Sequence, residues 1–326
     1  MSTSKTTEGE GSWYLSDISP ADKPWDTHRT ECDEIKELFK LVGYARYAER
    51  VSECSQWLEY ALKAKDEGAI NLKLRDARFC RVRHCPICQW RRSLMWRARF
   101  FKALPKIWDK YPTGRWVFLT LTIRNCEISE LRATLDKMNA AWGRLVKRKT
   151  WPALGFIKSI EVTRGADGTA HPHFHCLLFM PAGYFSRGYI SQADWATLWK
   201  SCLKTDYTPR IDVRVVKAKK DASNTTLKAS VDAAYKAVCE TLKYSVKPSD
   251  LLADPQWMDE LIKQLHNTRM ISVGGCLKEF FSEDDPEDLI NGEIEEEEKT
   301  EDDFLMTFKW SFEDKRYKKA NSKKSQ

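Results

Sequence analysis

The chain has 326 residues, ten cysteines and a formal net charge of +7. Its length allows a sizeable core, ten cysteines are too sparse for a disulfide-stapled scaffold, and no signal peptide or long apolar stretch is apparent, so a cytoplasmic protein without a membrane partner is expected. Thirteen of the 47 acidic residues and one of the 54 basic ones lie between Glu283 and Asp303, so 34 acidic stand against 53 basic residues elsewhere, and that basic excess points to a polyanionic partner.

Residues 1–45 read as a polar leader, with helix-forming content near Glu34–Lys40. Residues 46–110 read as a cysteine-rich, zinc-binding region followed by a basic helix. Cys80, Cys85 and Cys88 have C-x4-C-x2-C spacing, and Cys85-Pro-Ile-Cys88 is a knuckle-like turn suited to a structural Zn²⁺. A fourth ligand must come from elsewhere; His84 is an alternative, but its position beside Cys85 strains the geometry. Cys126, Cys176, Cys202, Cys239 and Cys276 read as small buried hydrophobes. The helix from Gln89 to Lys102, expected to stop at Pro105, interleaves Arg91, Arg92, Arg97 and Arg99 with Trp96 and other aromatics. Arginines neutralise phosphates and aromatic rings stack on bases, so these five residues are candidate DNA contacts.

A third region, residues 111–280, carries the chemistry. Trp116–Ile123 reads as a strand, and Ile128–Lys147 as a helix with Leu131, Leu135, Met138, Trp142 and Leu145 on one stripe. Phe156–Thr163 is rich in β-branched residues, and Arg164-Gly-Ala-Asp-Gly168 supplies the turn that returns the chain antiparallel. The next run, Thr169-Ala-His-Pro-His-Phe-His-Cys-Leu-Leu-Phe-Met180, holds three of the six histidines. Alternate strand residues share a face and lie roughly 6–7 Å apart along it, so His173 and His175 can converge on one cation while Phe174 enters the core. Glu161 is the favoured third ligand and His171 the competitor. Imidazole and carboxylate ligands suit Mn²⁺ or Mg²⁺ acting on a phosphate, and also catalytic Zn²⁺.

A helix near Gln192–Leu203 and a strand Ile211–Val216 follow. Ala233–Lys247 reads as a helix that Pro248 ends, with Glu240 and Tyr244 as i, i+4 partners and Lys243 and Lys247 flanking the phenol, where they can hold a phosphate or favour the phenolate. Tyr235 is a fallback nucleophile without that lysine spacing. Residues 281–326 read as an acidic, disordered tail. The expected fold is α+β: an antiparallel sheet with split βαβ connections and helices packed on one face, plus a small zinc-binding region.

Over roughly residues 50 to 280 the sequence resembles the replication initiators of rolling-circle plasmids, members of the HUH endonuclease class. Trp116-Val-Phe-Leu-Thr-Leu-Thr-Ile123 looks like the first motif of that family, His171-Pro-His-Phe-His175 like the second, and Glu240-Thr-Leu-Lys-Tyr-Ser-Val-Lys247 like the third. The tyrosine follows the histidines, as in initiators; relaxases of the class have the reverse order. Glu240 stands where related phage initiators carry another tyrosine, which is similar to the single-tyrosine plasmid branch. The resemblance implies an HUH-type sheet, His173 and His175 as metal ligands, and Tyr244 as nucleophile. It further implies Glu240 as general base for a water in the second cleavage. It also implies Cys54 as the fourth zinc ligand, since the family places a cysteine similarly upstream.

The activity so implied is origin nicking and closing. Tyr244 would attack one strand, retain the 5′ end as a phosphotyrosine and release a 3′-OH that primes replication. The implied partners are origin DNA and a bacterial host's helicase, single-strand-binding protein and polymerase. Two rivals are an HUH-class transposase, distinguished by recognition of element ends, and a zinc-containing DNA-binding regulator without catalysis. A zinc deaminase is disfavoured because no His-x-Glu accompanies the CxxC.

Overall fold

The computed structural model describes residues 13–64, 70–216, 234, 236–242, 246–281, 289–290 and 304–320. The chain divides into two units, one formed by residues 1–88 with 296–326 and the other by residues 89–295.

The first unit is richer than a leader and a zinc knuckle. Helix α1 (Leu15–Ile18) precedes α2 (Lys23–Leu41), which starts with Pro24 in its first turn and buries Trp25, Cys32, Ile35, Leu38 and Phe39 along one stripe. Helix α3 (Ala45–Ser52) packs beside it, and the buried Arg29 guanidinium donates to the carbonyls of Val51 (3.1 Å) and Ser52 (2.9 Å). Strands β1 (Trp57–Ala64), β2 (Ile70–Ala77), β8 (Phe304–Ser311) and β9 (Arg316–Lys319) form an antiparallel sheet in the order β2-β1-β8-β9. Leu58 opposes Phe308 and Tyr60 opposes Met306, all four buried. Trp25 of α2 meets the buried Tyr317 of β9 edge-on, with ring centroids 6.2 Å apart.

Two expectations are corrected here. Part of the expected leader is a core helix, because its apolar residues recur at helical spacing. Residues 304–319 of the expected tail form two strands, because Met306, Phe308, Trp310 and Tyr317 have an apolar surface to bury. Most of the acidic run lies outside the described residues.

In the second unit, β3 (Arg115–Thr122), β4 (Gly155–Arg164), β5 (Ala170–Met180), β6 (Ile211–Val215) and β7 (Ile271–Gly275) run in the order β6-β3-β5-β4-β7, every neighbouring pair antiparallel. Helix α5 (Leu131–Val146) connects β3 to β4, with β5 inserted between them, and α6 (Gln192–Leu203) connects β5 to β6. That is a split βαβ arrangement. The five expected stripe residues of α5 are all buried, and Trp142 packs edge-on against Phe156 at 4.9 Å.

Helices occupy both faces of this sheet, where one was expected. On the other face, Phe100, Leu104 and Ile107 of α4 (Pro86–Lys110) pack with Trp116, Ile157, Leu177, Phe179 and Val273 of the strands. The helix α7, described over 236–241, adds Val238, with Ala234 and Leu242 flanking it. The cause is β5, which is buried without a break from Pro172 to Met180, so both of its faces need cover. Helix α4 also runs through Pro105 to Lys110 instead of stopping there. Proline inside a helix costs about 3 kcal/mol, but the buried Leu104 and Ile107 on either side are each worth about 1.5–3 kcal/mol. Two short helices, α8 (Pro248–Leu252) and α9 (Pro255–Gln264), lead to β7. Among the described residues no helix is long and apolar enough to cross a membrane.

Candidate active site

The β4–β5 hairpin sets the site. Gly165 N–H donates to the Thr169 carbonyl (2.8 Å), Gly168 takes the left-handed φ of +84° that the turn requires, and Asp167 Oδ1 accepts from the Thr169 hydroxyl (2.6 Å). This fixes a register in which Glu161 opposes His173 and Ser159 opposes His175. From the other side, Thr120 of β3 opposes His175 and Thr122 opposes His173.

Glu161, His173 and His175 thus converge, each of them buried, with one candidate ligand atom apiece within 4.8 Å of the others. Glu161 Oε2 lies 3.1 Å from His173 Nε2 and 2.7 Å from His175 Nε2. Burial works against the Glu161 charge, but hydrogen bonds from His173 and His175 outweigh it and hold the carboxyl well below the ordinary range. The far ring nitrogens point at acceptors: His175 Nδ1 is 3.3 Å from Thr120 Oγ1 and His173 Nδ1 is 3.2 Å from the His171 carbonyl. In the tautomer that places the proton on Nδ1 instead, the Nε2–Glu161 hydrogen bonds would give way to two Nε2 lone pairs facing the carboxylate, a set that fits a divalent metal held by two imidazoles and a carboxylate.

His171 does not join this group. Its Nδ1 lies 2.5 Å from Asn125 Oδ1, its ring centroid is 5.3 Å from that of His173, and burial, with His173 beside it, pushes its imidazole below the ordinary value.

The helix α7 lies on the same sheet face as the triad. Its Val238 joins Ile157 and Leu177 in the core, and the Ser159 hydroxyl donates to the Thr241 carbonyl. Glu240 sits half-buried on α7. Lys247 is exposed and caps α8, so Pro248 opens a new helix. Lys243 and Tyr244, and the fallback Tyr235, lie outside the described residues.

In the first unit, the Sγ atoms of Cys54, Cys80, Cys85 and Cys88 all lie within 4.8 Å of one another. Cys54–Cys85 is 3.6 Å, and Cys54–Cys88 and Cys80–Cys88 are each 3.7 Å. A tetrahedron with Zn–S bonds of about 2.3 Å has edges of about 3.8 Å, so the four sulfurs fit that ion. Hydrogen bonds from the Cys80, Cys85 and Cys88 thiols push Cys54 down, and burial pushes Cys85 up. Cys32, which the spacing argument passed over, touches the cluster at 3.5 Å from Cys85 Sγ. It sits on α2, far from any CxxC spacing, so only the fold reveals it. Of the cysteines read as buried hydrophobes, Cys176 and Cys202 are buried, whereas Cys126, Cys239 and Cys276 are half-buried.

The arginine set on α4 divides. Arg91 is buried, its Nε donating to the Leu289 carbonyl (2.7 Å) and its Nη2 to that of Ile290 (2.6 Å), so it is a structural clamp and not a phosphate contact. Trp96 is half-buried against the core and carries the Arg99 guanidinium 5.4 Å from its ring centre. Arg92 and Arg97 are half-buried.

A family described as replication protein matches residues 71–318. Among curated proteins, the chain is similar to "Protein rep" of Lentilactobacillus hilgardii, 35% identical over 287 residues that cover 84% of this chain and 87% of that protein. "Protein rep" of Bacillus amyloliquefaciens is 36% identical over 287 residues, covering 83% and 84%. A "Replication protein" of Staphylococcus aureus is 30% identical over 231 residues, covering 66% and 95%. No solved structure matches the chain.

Proposed function

The chain belongs to the replication protein family, and on that footing we propose that it is a plasmid rolling-circle replication initiator of the single-tyrosine HUH class, acting in a bacterial cytoplasm. The observation that carries this reading is the anchoring of α7 beside the metal-ligand triad: Ser159, which opposes His175, holds the carbonyl of Thr241, three residues before Tyr244.

Glu161, His173 and His175 would hold a divalent cation, Mn²⁺ or Mg²⁺. When bound, such an ion supplies Lewis-acid neutralisation of charge on the phosphoryl oxygens. Tyr244 Oη attacks phosphorus in line, its proton passes to solvent or a nearby base, and the 3′ oxygen leaves as a hydroxyl that primes synthesis. The 5′ phosphate stays on Tyr244 as an ester, so rejoining the strand is nearly energy-neutral. Lys243 and Lys247 hold the phosphate or favour the phenolate. Glu240 activates the water of the second cleavage as general base. Cys54, Cys80, Cys85 and Cys88 would hold a structural Zn²⁺ that ties the segment before β1 and the segment after β2 to the Cys85–Cys88 turn. Host helicase, single-strand-binding protein and polymerase then act on the nicked origin.

The test is incubation of wild type and Tyr244→Phe with supercoiled plasmid carrying the cognate origin, in Mn²⁺, Mg²⁺ or EDTA, followed by denaturing analysis for a protein-linked 5′ end. A metal-dependent adduct formed by wild type alone supports the reading. Origin binding with neither nick nor adduct moves the chain to the non-catalytic regulator.

A further inference from the structure

A loop beside the triad carries features that metal ligation does not use. The chain leaves β3 at Thr122, opposite His173, and returns to pair at Cys126, whose N–H donates to the Ala170 carbonyl (3.0 Å) next to His171. Between these points, Asn125 Nδ2 donates to Thr169 Oγ1 (2.9 Å) while its Oδ1 faces His171. Arg124 therefore stands on the rim of the triad's face. Its N–H donates to Tyr207 Oη (2.8 Å), and its guanidinium lies 4.3 Å from the Tyr207 ring centre. Beside it, the Thr122 hydroxyl donates to the Arg210 carbonyl (2.6 Å), which fixes Arg210 on the same rim.

Both arginines are exposed, and among the described residues neither has a carboxylate within ion-pair distance. Their neighbours in the same unit differ: Arg214 is paired with Asp212 (2.7 Å) and Arg164 with Asp254 (3.2 Å). A guanidinium that lies over a phenol ring and is otherwise exposed keeps N–H donors free for a phosphate. Aromatic and guanidinium planes also accept unpaired bases.

We propose that Arg124, Tyr207 and Arg210 form a subsite for single-stranded DNA that seats the strand running past the metal-ligand triad, with the arginines on phosphates and the Arg124–Tyr207 stack beneath a base. This rests on the nicking function proposed above for its direction along the strand, but not for strand binding itself.

The experiment titrates the full-length protein into a fluorescein-labelled mixed-sequence 20-nucleotide single strand, reading anisotropy from low to moderate KCl. Arg124→Gln and Arg210→Gln are each expected to flatten the slope of log K against log salt by about 0.7 per lost phosphate contact and to weaken binding several-fold. Arg124→Lys should restore the slope but not the full affinity, since an ammonium keeps the charge and loses the stacked plane. Tyr207→Ala should weaken binding roughly 5- to 150-fold, the range for one stacked base. Mn²⁺ affinity, measured in parallel by calorimetry, should be unchanged in the arginine variants. Unaltered slopes in both arginine variants, with folded protein by circular dichroism, would overturn the subsite. Flattened slopes without any metal-dependent adduct from wild type would leave the subsite standing and remove the nicking function.

Discussion

Lys158 is a cation buried in the second unit's core, and replacing it should stabilise the protein at neutral pH. Its Nζ sits 4.0 Å from the Phe174 ring centre and 5.8 Å from that of Trp142, with one hydrogen bond to Asn139 Oδ1 (2.7 Å). Burial lowers its amine to about 8 from the ordinary 10.5. The neighbouring Cys176 thiol, which burial pushes far up, stays protonated and brings no counter-charge. A proton kept on such an amine at pH 7 costs about 3 kcal/mol. Lys158→Met removes that cost together with the ring contacts and one hydrogen bond, while the half-buried Asn139 can still reach water, so the net gain should be about 1–2 kcal/mol. The pH dependence carries the sign. Because the folded value is the lower one, the penalty is fully present below about 8 and fades as pH rises toward 10.5, where the unfolded chain also loses the proton. Urea unfolding of wild type and Lys158→Met at pH 7 and pH 10 should therefore show the variant's advantage falling by about 2 kcal/mol. A gap that does not change with pH would refute the assignment of a charged, desolvated amine at this position.

Other outcomes follow from the two candidate metal groups and the first unit's core. Glu161→Ala should lower Mn²⁺ affinity by more than tenfold in calorimetry. Thr120→Val, which removes the acceptor facing His175 Nδ1, should lower it about 10- to 100-fold with no change in fold. Cys88→Ser, placed 3.7 Å from both Cys54 and Cys80, should abolish a tightly bound zinc equivalent in elemental analysis and depress the melting of the unit that contains it. Arg29→Ala should destabilise that same unit by about 3 kcal/mol in denaturant titration, since it strips the buried Asp33 of a cation 3.0 Å away.

The hairpin that carries the triad was legible because three local signals agree there: β-branched residues before the turn, glycine at its left-handed position, and histidines at a spacing of two. The same holds for α5, whose stripe needs only helical periodicity. The first unit's sheet was not legible, since Leu58 and Phe308 oppose each other across most of the chain and no local pattern announces such a pair. Arg91 looked like one more basic residue on a basic helix, and its role as a clamp on the Leu289 and Ile290 carbonyls depends on a chain segment far away in sequence. Pro105 misled because propensity counts only the local cost, whereas the core on both sides of it sets the balance.

The four-stranded sheet also constrains when the protein can come together during synthesis. Strands β1 and β2 emerge from the ribosome early, but β8, which pairs with β1, and β9, which pairs with β8, are encoded some 230 residues later. The unit formed by residues 89–295 is continuous in sequence and can fold while the remainder is still being translated. At roughly 5–20 residues per second, the edge of β1 that β8 will cover waits on the order of 10–50 s for its partner. An exposed strand edge of that kind is a site for unwanted pairing, so a nascent or truncated chain ending before Phe304 should be the aggregation-prone species.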